Sequence, residues 1–310
     1  MIRIIAKLFA VTVTLIVCLP VQPSSAGSVA FVSATGGGTA CSQTAPCATI
    51  ETAVEALSPD GGQIICMTPV EQNAGFGFSS GTFLFDCPST SWIGGIGILP
   101  SGVSGVSGVF KFQHIDFSGL DIATSVIKVT GGGTLIFDDC ILEDIAGMGL
   151  DIEPNSAFNL VVTNSRISNN AGGVLFKPAA GGSVTATFDR VTITGNSGGG
   201  LKSDTTNGPV TVDISNSTIS KNAGNGLNAV SGAAGGTNIL NLSHDVIASN
   251  GTAGIQSNGT NAAVLIDTTL LDSNATGATS AVGGGRLLTY GNNRIVGSAG
   301  SGFTGSAALQ

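Results

Sequence analysis

Apolar and polar positions follow a register that recurs every 24 to 28 residues along most of the chain. With Asn196 as position zero, the positions minus ten, minus eight and minus three hold Ala186, Phe188 and Ile193. These positions stay apolar from repeat to repeat, and the minus-three column reads Phe117, Leu142, Ile167, Ile193, Ile219, Ile247, Leu271 and Ile295. A repeat of this length with strand-like units predicts a solenoid.

Each repeat predicts three short strands separated by bends. Residues 184–188 alternate with period two, residues 191–194 begin a second strand, and residues 199–201 begin a third. The pattern predicts an all-β fold, a right-handed parallel β-helix of roughly ten or eleven coils, with equal positions stacked about 4.8 Å apart. In the last repeat, this register places Leu288 at minus ten and Tyr290 at minus eight.

An asparagine column accompanies the apolar columns at position zero. Asparagine tolerates the left-handed backbone of a tight bend, and its amide both donates and accepts hydrogen bonds. We therefore predict a structural ladder in which these amides bond to one another and to the bend backbone. Its members are Asn170, Asn196, Asn222, Asn250 and Asn274.

The first residues predict export. Arg3 and Lys7 precede an apolar run that ends at Pro20, and small residues follow, so residues 1–26 have the features of a cleaved signal peptide. No other stretch is apolar and long enough to suggest a membrane span after removal of this signal. We expect an exported protein that is secreted, periplasmic or at the cell surface.

The rest of the chain divides into three parts. Residues 27–62 predict an N-terminal cap with a strand, a cysteine loop and an amphipathic helix over residues 48–57. Residues 63–297 predict the β-helix. Residues 298–310 form a tail rich in Gly, Ser and Ala, which either frays or covers the last coil loosely.

Five cysteines follow the signal, and an oxidising compartment favours their pairing. Cys41 and Cys47 enclose a short loop and are expected to form one disulfide. Cys66 and Cys87 end equivalent strands of successive coils, so stacking would bring them within bonding distance. Cys140 is expected to be a buried free thiol, because equivalent positions in neighbouring coils hold Ser165 and Val191.

Charge restricts the partners. The formal net charge is -8 and the pI is near 4.5, which argues against nucleic acid and anionic membranes. No cysteine or histidine spacing suggests a zinc site, and no cofactor motif is present.

Three stretches carry a family resemblance: FVSATGGGTACSQTAPCATIETAV near the start, the coils NSRISNN and NSTISKN, and LLTYGNNRI near the end. With these stretches the chain resembles the right-handed parallel β-helix proteins of the pectin-lyase-like superfamily, and in particular exported bacterial members of unassigned function. The resemblance implies the fold over the whole mature chain. The superfamily includes lyases, hydrolases, epimerases, tailspikes and adhesins, so the fold alone does not define an activity.

The chain departs from the enzymatic patterns of that superfamily. Asp138 and Asp139 stand together, but the GHG and RIK motifs of polygalacturonases are missing. A pectate lyase would also need several calcium-binding carboxylates and an arginine base on one strand face, and these are not evident. An autotransporter would carry a C-terminal membrane barrel, which is not evident either.

Polar residues at positions minus seven and minus six are the candidate chemical groups. Stacked coils would align them in a polar stripe that could bind a sugar acid or calcium, or hold an acid–base pair. The alternative is a second structural bend whose side chains are satisfied by the turn. The candidate catalytic residues in this stripe are Asp139, Asp189, Arg190 and His244.

Calcium is the one cofactor that the acidic residues allow. The carboxylates between residues 138 and 153 could bind it, although a solvated acidic surface is the simpler interpretation. The candidate ligands are Asp138, Asp139, Glu143, Asp144, Asp151 and Glu153.

Two functions remain open. The first is a non-enzymatic exported β-helix that acts as an envelope, surface or carbohydrate-contacting module, with a polysaccharide or cell-surface glycan as partner. The second is a polysaccharide-active lyase or hydrolase that works in a groove along one sheet face. Sugar-binding surfaces often use exposed Trp or Tyr, and here Trp92 is expected in an irregular loop and Tyr290 in the core.

Overall fold

The computed structural model describes residues 28–57, 60–72, 76–78, 80–92, 96–98, 108–119 and 125–307. The signal-peptide prediction for residues 1–26 lies outside these residues. So do the last three residues of the tail.

The chain forms one short helix and a succession of short strands. The N-terminal elements are β1 (Val29–Val32), α1 (Ile50–Leu57), β2 (Gly61–Cys66), β3 (Glu71–Gln72), β4 (Phe76–Phe78), β5 (Thr82–Trp92), β6 (Ile96–Ile98), β7 (Val109–Ser118) and β8 (Ser125–Val129). The middle elements are β9 (Gly133–Asp138), β10 (Ile141–Glu143), β11 (Met148–Ile152), β12 (Ala157–Thr163), β13 (Arg166–Ser168), β14 (Gly172–Phe176), β15 (Ser183–Asp189), β16 (Thr192–Thr194) and β17 (Leu201–Asp204). The C-terminal elements are β18 (Val210–Ser215), β19 (Thr218–Ser220), β20 (Leu227–Val230), β21 (Asn238–Ser243), β22 (Val246–Ala248), β23 (Ala253–Asn258), β24 (Ala262–Asp267), β25 (Leu270–Asp272), β26 (Gly277–Val282), β27 (Arg286–Thr289), β28 (Arg294–Val296) and β29 (Gly305–Ser306).

These strands wind into a parallel β-helix with three faces. Strands such as β9, β12 and β15 form face A, and β10, β13 and β16 form face B. β5 and β7 run around the corner between them, so hydrogen bonds join both faces into one bent sheet. Face C is a separate sheet from β4 to β26. The predicted solenoid is confirmed.

The number of coils is slightly smaller than expected. Among the described residues, face C has nine strands, so nine coils have all three faces, against the expected ten or eleven. The difference arises at the ends, where β1 pairs only on face A and β27 and β28 have no described strand of face C following them. A strand motif in the sequence therefore does not always complete a winding.

The apolar columns stack as the repeat predicts. Ile167 pairs with Ile193 and Ile193 with Ile219 in consecutive strands of face B, and all three are at most 1% exposed. On face A, Leu160 pairs with Ala186 and Phe188 pairs with Ile214. The core is thus a set of aliphatic and aromatic stacks along the helix axis, each sealed by the coil above and below.

Aromatic rings fill the core of the first coils. Phe112 stacks on Phe85 with ring centroids 4.7 Å apart and on Phe137 at 5.6 Å. Trp92 meets Phe112 edge to face at 5.8 Å. The expectation that Trp92 lies in an irregular loop is wrong, because it ends strand β5 and is fully buried. It cannot serve as an exposed sugar platform.

The N-terminal end is closed by its own cap. Helix α1 begins two residues later than predicted and buries Ile50, Ala53 and Leu57 against the first coil. Both predicted disulfides are present, Cys41–Cys47 and Cys66–Cys87. The cysteine loop also hydrogen-bonds to the outer edge of β1, which protects that edge from pairing with another chain.

The asparagine ladder is confirmed, but the left-handed residue lies one position before it. The side-chain nitrogen of Asn222 donates to Asn250 Oδ1 at 3.0 Å and to the carbonyl of Ile193 at 3.2 Å. Positive φ angles instead occur at the preceding position, in Asp144, Asn169, Gly195, Lys221, Ser249 and Ser273. The preceding residue makes the bend, and the asparagine closes it from inside.

The last coil slips by one residue. Leu287, not Leu288, pairs with Val264 and is fully buried, while Tyr290 is half-buried beyond the end of β27. The expected core positions of Leu288 and Tyr290 are therefore wrong. Face B keeps its register, since Leu271 still pairs with Ile295, so the extra residue is absorbed between β27 and β28.

Cys140 is a buried free thiol, as expected. Burial raises the pKa of this thiol to about 12, so it is inert toward nucleophilic chemistry at neutral pH. Within the residues that the structure describes, no helix has the length and apolar character of a membrane span.

Candidate functional site

The corner between faces A and B brings the polar stripe together. Its outermost residues all have a left-handed backbone, with φ between 43° and 61°: Ser89, His114, Asp139, Asn164, Arg190, Asn216, His244 and Thr268. Left-handed backbone disfavours most side chains, and asparagine and aspartate tolerate it best. The stripe is therefore a structural bend in every coil, which was the alternative interpretation of its composition.

Most polar side chains of this corner form hydrogen bonds with corner side chains of the next coil. Asp138 Oδ1 accepts from the hydroxyl of Thr163 at 2.9 Å and from the amide of Asn164 at 3.0 Å. The amide of Asn164 then accepts from Arg190 Nε at 2.7 Å. These bonds lower the pKa of Asp138, mainly through the amide of Asn164. Its carboxylate is engaged in holding the coils together.

The side chains of Asp189 and Arg190 are also engaged in bonds within the corner. The two side chains form an ion pair, and Asp189 also accepts from the amide of Asn216 at 2.8 Å. That amide is the main cause of the lowered pKa of Asp189. Asp139 and Arg190 lie two coils apart with Asn164 between them, and no direct contact links them as an acid–base pair.

His244 and Asp245 point to opposite sides of the corner. His244 is exposed and its Nδ1 lies 2.8 Å from the hydroxyl of Ser243. Asp245 is 2% exposed and accepts from the backbone nitrogens of Ser217 at 2.8 Å and Ser243 at 3.0 Å. Burial raises the pKa of Asp245 to about 6. The two side chains therefore cannot act together.

A groove interrupts the stripe near its N-terminal end. It has a volume of about 430 Å³ and opens at the corner where β5, β7 and β10 meet. Pro88 and Ser89 form one wall because the pairing of β5 with β7 shifts register between Asp86 and Thr90. The lining residues are Pro88, Ser89, His114, Ile115, Asp116, Asp139 and Ile141.

Histidine and carboxylates converge on this groove. His114 Nδ1 lies 2.8 Å from Asp86 Oδ1, and its Nε2 lies 3.9 Å from Asp139 Oδ2. Asp86 thereby orients the imidazole ring toward Asp139. Asp139 is 69% exposed, so its carboxylate is open to a ligand. This is the one predicted catalytic candidate that the structure places in a cavity among the described pockets.

Asp116 is the acidic group of the groove whose pKa is shifted. One of its carboxylate oxygens is buried, and no described group forms a hydrogen bond with it. Its pKa is raised, first by burial and then by the negative charge of Glu143, while Arg166 opposes the shift. A positive charge in the groove would offset these like charges and stabilise the ionised carboxylate.

The six calcium candidates do not gather into one site. Glu143 lies 2.7 Å from Arg166 on face B, whereas Asp151 and Glu153 lie 2.7 and 3.1 Å from Lys128 on face C. Across the described ranges, no group of three or more His, Cys, Asp or Glu side chains could hold a metal ion. Among these six candidates, Glu143, Asp151 and Glu153 form ion pairs and Asp138 forms corner bonds, while Asp139 and Asp144 join no described metal-binding group.

Sequence reasoning missed Asp116 and Asp86. Asp116 lies in β7 two residues after His114, outside the stripe. Asp86 in β5 pairs with Gln113 and therefore aligns with position minus seven, in a coil before the one where the repeat becomes regular. The available signal was the departure of this stretch from the repeat, since Pro88 and Ser89 lengthen the corner of β5. An irregular coil beside regular ones is where a solenoid can form a concave surface.

Comparisons with known proteins agree with this architecture. The profile of the family described as "Right handed beta helix region" matches residues 94–270, which is more than half of the chain. The chain therefore belongs to the right-handed β-helix family. A search of curated proteins found no match.

Two solved structures are similar in fold. The crystal structure of pectate lyase Pel9A superposes with a TM-score of 0.51 at 15% identity, covering 91% of this chain and 78% of that one. The A-module of mannuronan C-5 epimerase AlgE4 from Azotobacter vinelandii has a TM-score of 0.48 at 13% identity, covering 83% of this chain and 91% of that one. At these identities the similarity concerns the fold.

Proposed function

We propose that this protein is an exported β-helix module that binds a polysaccharide, or a glycan of a cell surface, in the groove around His114. The observation that carries the proposal is the convergence of His114, Asp116 and Asp139 on a cavity of about 430 Å³. That volume lies within the usual range for small-ligand sites, and carboxylates and imidazole are common acceptors for sugar hydroxyls.

The setting of the groove supports binding more than catalysis. His114 and Asp139 occupy left-handed bend positions, so the regular coils hold their backbone rigidly. The groove is open to solvent along the corner, and an open site excludes little water from a reacting bond. The two disulfides and the signal-like residues 1–26 support a role outside the cytoplasm.

A glycan panel tests this proposal. The purified mature protein is titrated calorimetrically with neutral, acidic and amino-sugar oligosaccharides of equal length. We expect at least one class to bind, and His114→Ala to weaken that binding about tenfold, with no change for Asn207→Ala in an exposed loop. If no glycan binds to the parent protein, the proposal is wrong.

An enzymatic role is the second candidate, and the state of Asp116 favours it. A carboxyl with a raised pKa can donate a proton to a leaving glycosidic oxygen, while a second carboxylate, here Asp139, assists an attacking water. Release of reducing ends from a bound glycan, abolished in Asp139→Asn, would establish hydrolysis. Binding without any product over long incubation would establish the module.

A further inference from the structure

The charges around the groove are unevenly paired. Arg166 lies 2.7 Å from Glu143, and Lys111 lies 3.8 Å from Asp138, so both nearby basic side chains already have acidic partners. His114 is shared by Asp86 and Asp139. In the described part of the chain, no basic side chain lies within ion-pair distance of Asp116 or Asp144. The groove therefore carries an excess of negative charge.

Part of this excess negative charge lies in the groove itself, on Asp116. It lines the groove, and its buried oxygen has no hydrogen-bond partner among the described residues. Glu143 and Asp144 both act on it as like charges. That oxygen is out of contact with solvent, so a cation in the groove would act on Asp116 by offsetting the like charges around it.

We propose that the groove selects glycans with a free amino group, in which the ammonium of an amino sugar pairs with Asp116 and the sugar hydroxyls bind Asp139 and His114. This inference rests on the proposed function, because it names the glycan class that the same groove takes. A uronic acid would bring a further negative charge beside Asp116 and Asp139, which disfavours its binding. A neutral sugar would leave the excess charge uncompensated.

Several titratable groups face the site and belong to different strands. They are Asp86 on β5, His114 and Asp116 on β7, Asp139 at the corner after β9, Glu143 on β10, Asp144 after β10 and Arg166 on β13. The selectivity should therefore be measured from mildly acidic to neutral pH. It should weaken with salt, because part of the attraction acts through solvent.

The test compares matched oligosaccharides. Hexamers of β-1,4-glucosamine and of its N-acetylated form share a backbone and differ in the charge of the amino group. We expect the parent protein to bind the glucosamine hexamer at least about tenfold more tightly, and Asp116→Asn to lose most of this preference. The matched control is Asp272→Asn, which removes the same charge six coils further along face B, roughly 29 Å away. It should keep the preference.

The outcomes separate this inference from the proposed function. Equal affinity for both hexamers would overturn the selectivity and leave the glycan-binding proposal intact. Binding of a polyuronide only in the presence of calcium would also overturn it, as would equal binding of hexalysine, which brings charge without sugar. Absence of binding by every glycan would overturn both. If Asp116→Asn lowers the melting temperature, the salt dependence of the parent protein's preference replaces it as the test, and a preference that salt does not weaken overturns the inference.

Discussion

Asn222 Oδ1 accepts two hydrogen bonds from Asn196 in the preceding coil, one from its side-chain nitrogen at 2.8 Å and one from its backbone nitrogen at 3.2 Å. The same pair of bonds links Asn222 to Asn250 and Asn250 to Asn274. Each side-chain amide also donates to a backbone carbonyl of the preceding coil, as Asn222 does to Ile193. Every polar atom of these buried side chains is satisfied by this arrangement.

Replacement of a central ladder residue should destabilise the fold. In Asn222→Leu, the backbone nitrogen of Asn196 would lose the side-chain oxygen that accepts from it, and the carbonyl of Ile193 would lose the side-chain amide that donates to it. We expect the free energy of unfolding to fall by about 1–3 kcal/mol, measured by urea denaturation. Asn207→Leu is the control, because Asn207 is exposed in a loop. Equal midpoints for the two variants would contradict the ladder's role.

The buried carboxyl of Asp245 should make stability depend on pH. Its folded pKa is raised to about 6, so the folded state keeps a proton that the unfolded chain releases near pH 4. Its stabilising contribution is complete below about pH 4 and is lost as the pH rises through about 6, by about 3 kcal/mol. Asp245→Asn should remove this component.

The contribution of Asp245 is measured as the difference in unfolding free energy between the parent protein and Asp245→Asn. Four carboxyls have lowered pKa values and give the opposite slope, with stability lost as the pH falls: Asp138, Asp189, Asp204 and Asp267. Urea denaturation of the parent and of Asp245→Asn at several pH values between about 4 and 7 cancels this shared contribution. Parallel curves would show that Asp245 does not titrate in this range.

The aromatic stack of the first coils should stabilise the fold by more than the burial of its apolar surface accounts for. Phe112 contacts Phe85, Phe137 and Trp92, whereas Phe176 contacts one ring, Phe188, among the described residues. Both side chains are fully buried. Phe112→Ala should cost about 3–5 kcal/mol, and it should exceed Phe176→Ala by about 1 kcal/mol or more. Equal losses would mean that the ring contacts add nothing beyond burial.

The slip in the last coil gives a prediction for two adjacent leucines. Leu287 is fully buried, and Leu288 is half-buried on the outer side of β27. Leu287→Ala should cost about 2–5 kcal/mol, while Leu288→Ala should cost less than about 1 kcal/mol. Thermal unfolding of the two variants decides the register, and a reversed order would restore the register that the repeat alone predicts.

Much of the fold could be predicted because a solenoid repeats one local rule. The positions of Ile167, Ile193 and Ile219 in the sequence already imply their stacking, since parallel strands pair residues of equal position. The disulfide between Cys66 and Cys87 followed from the same rule. The prediction failed where the rule was broken, at Trp92 in a lengthened corner and at Leu288 beside an inserted residue.

The candidate site was less predictable for a related reason. A repeat identifies what the coils share, and the shared polar residues proved to be corner bonds, as with Asp138 and Asn164. The groove depends on what one coil does differently. Asp116 stands in an ordinary strand position. Its burial and the charges of Glu143 in the next winding and Arg166 in the one after it make its environment unusual.

The sequence by itself determined the solenoid, its asparagine ladder, the disulfides and the free buried thiol of Cys140, because each of these depends on residue identity at equal positions of the repeat. Tertiary structure alone decided which carboxylates lie in a cavity, which are paired, and which coil breaks register. Those properties depend on distances between side chains from different coils, and such distances change by several ångströms when one corner gains a residue.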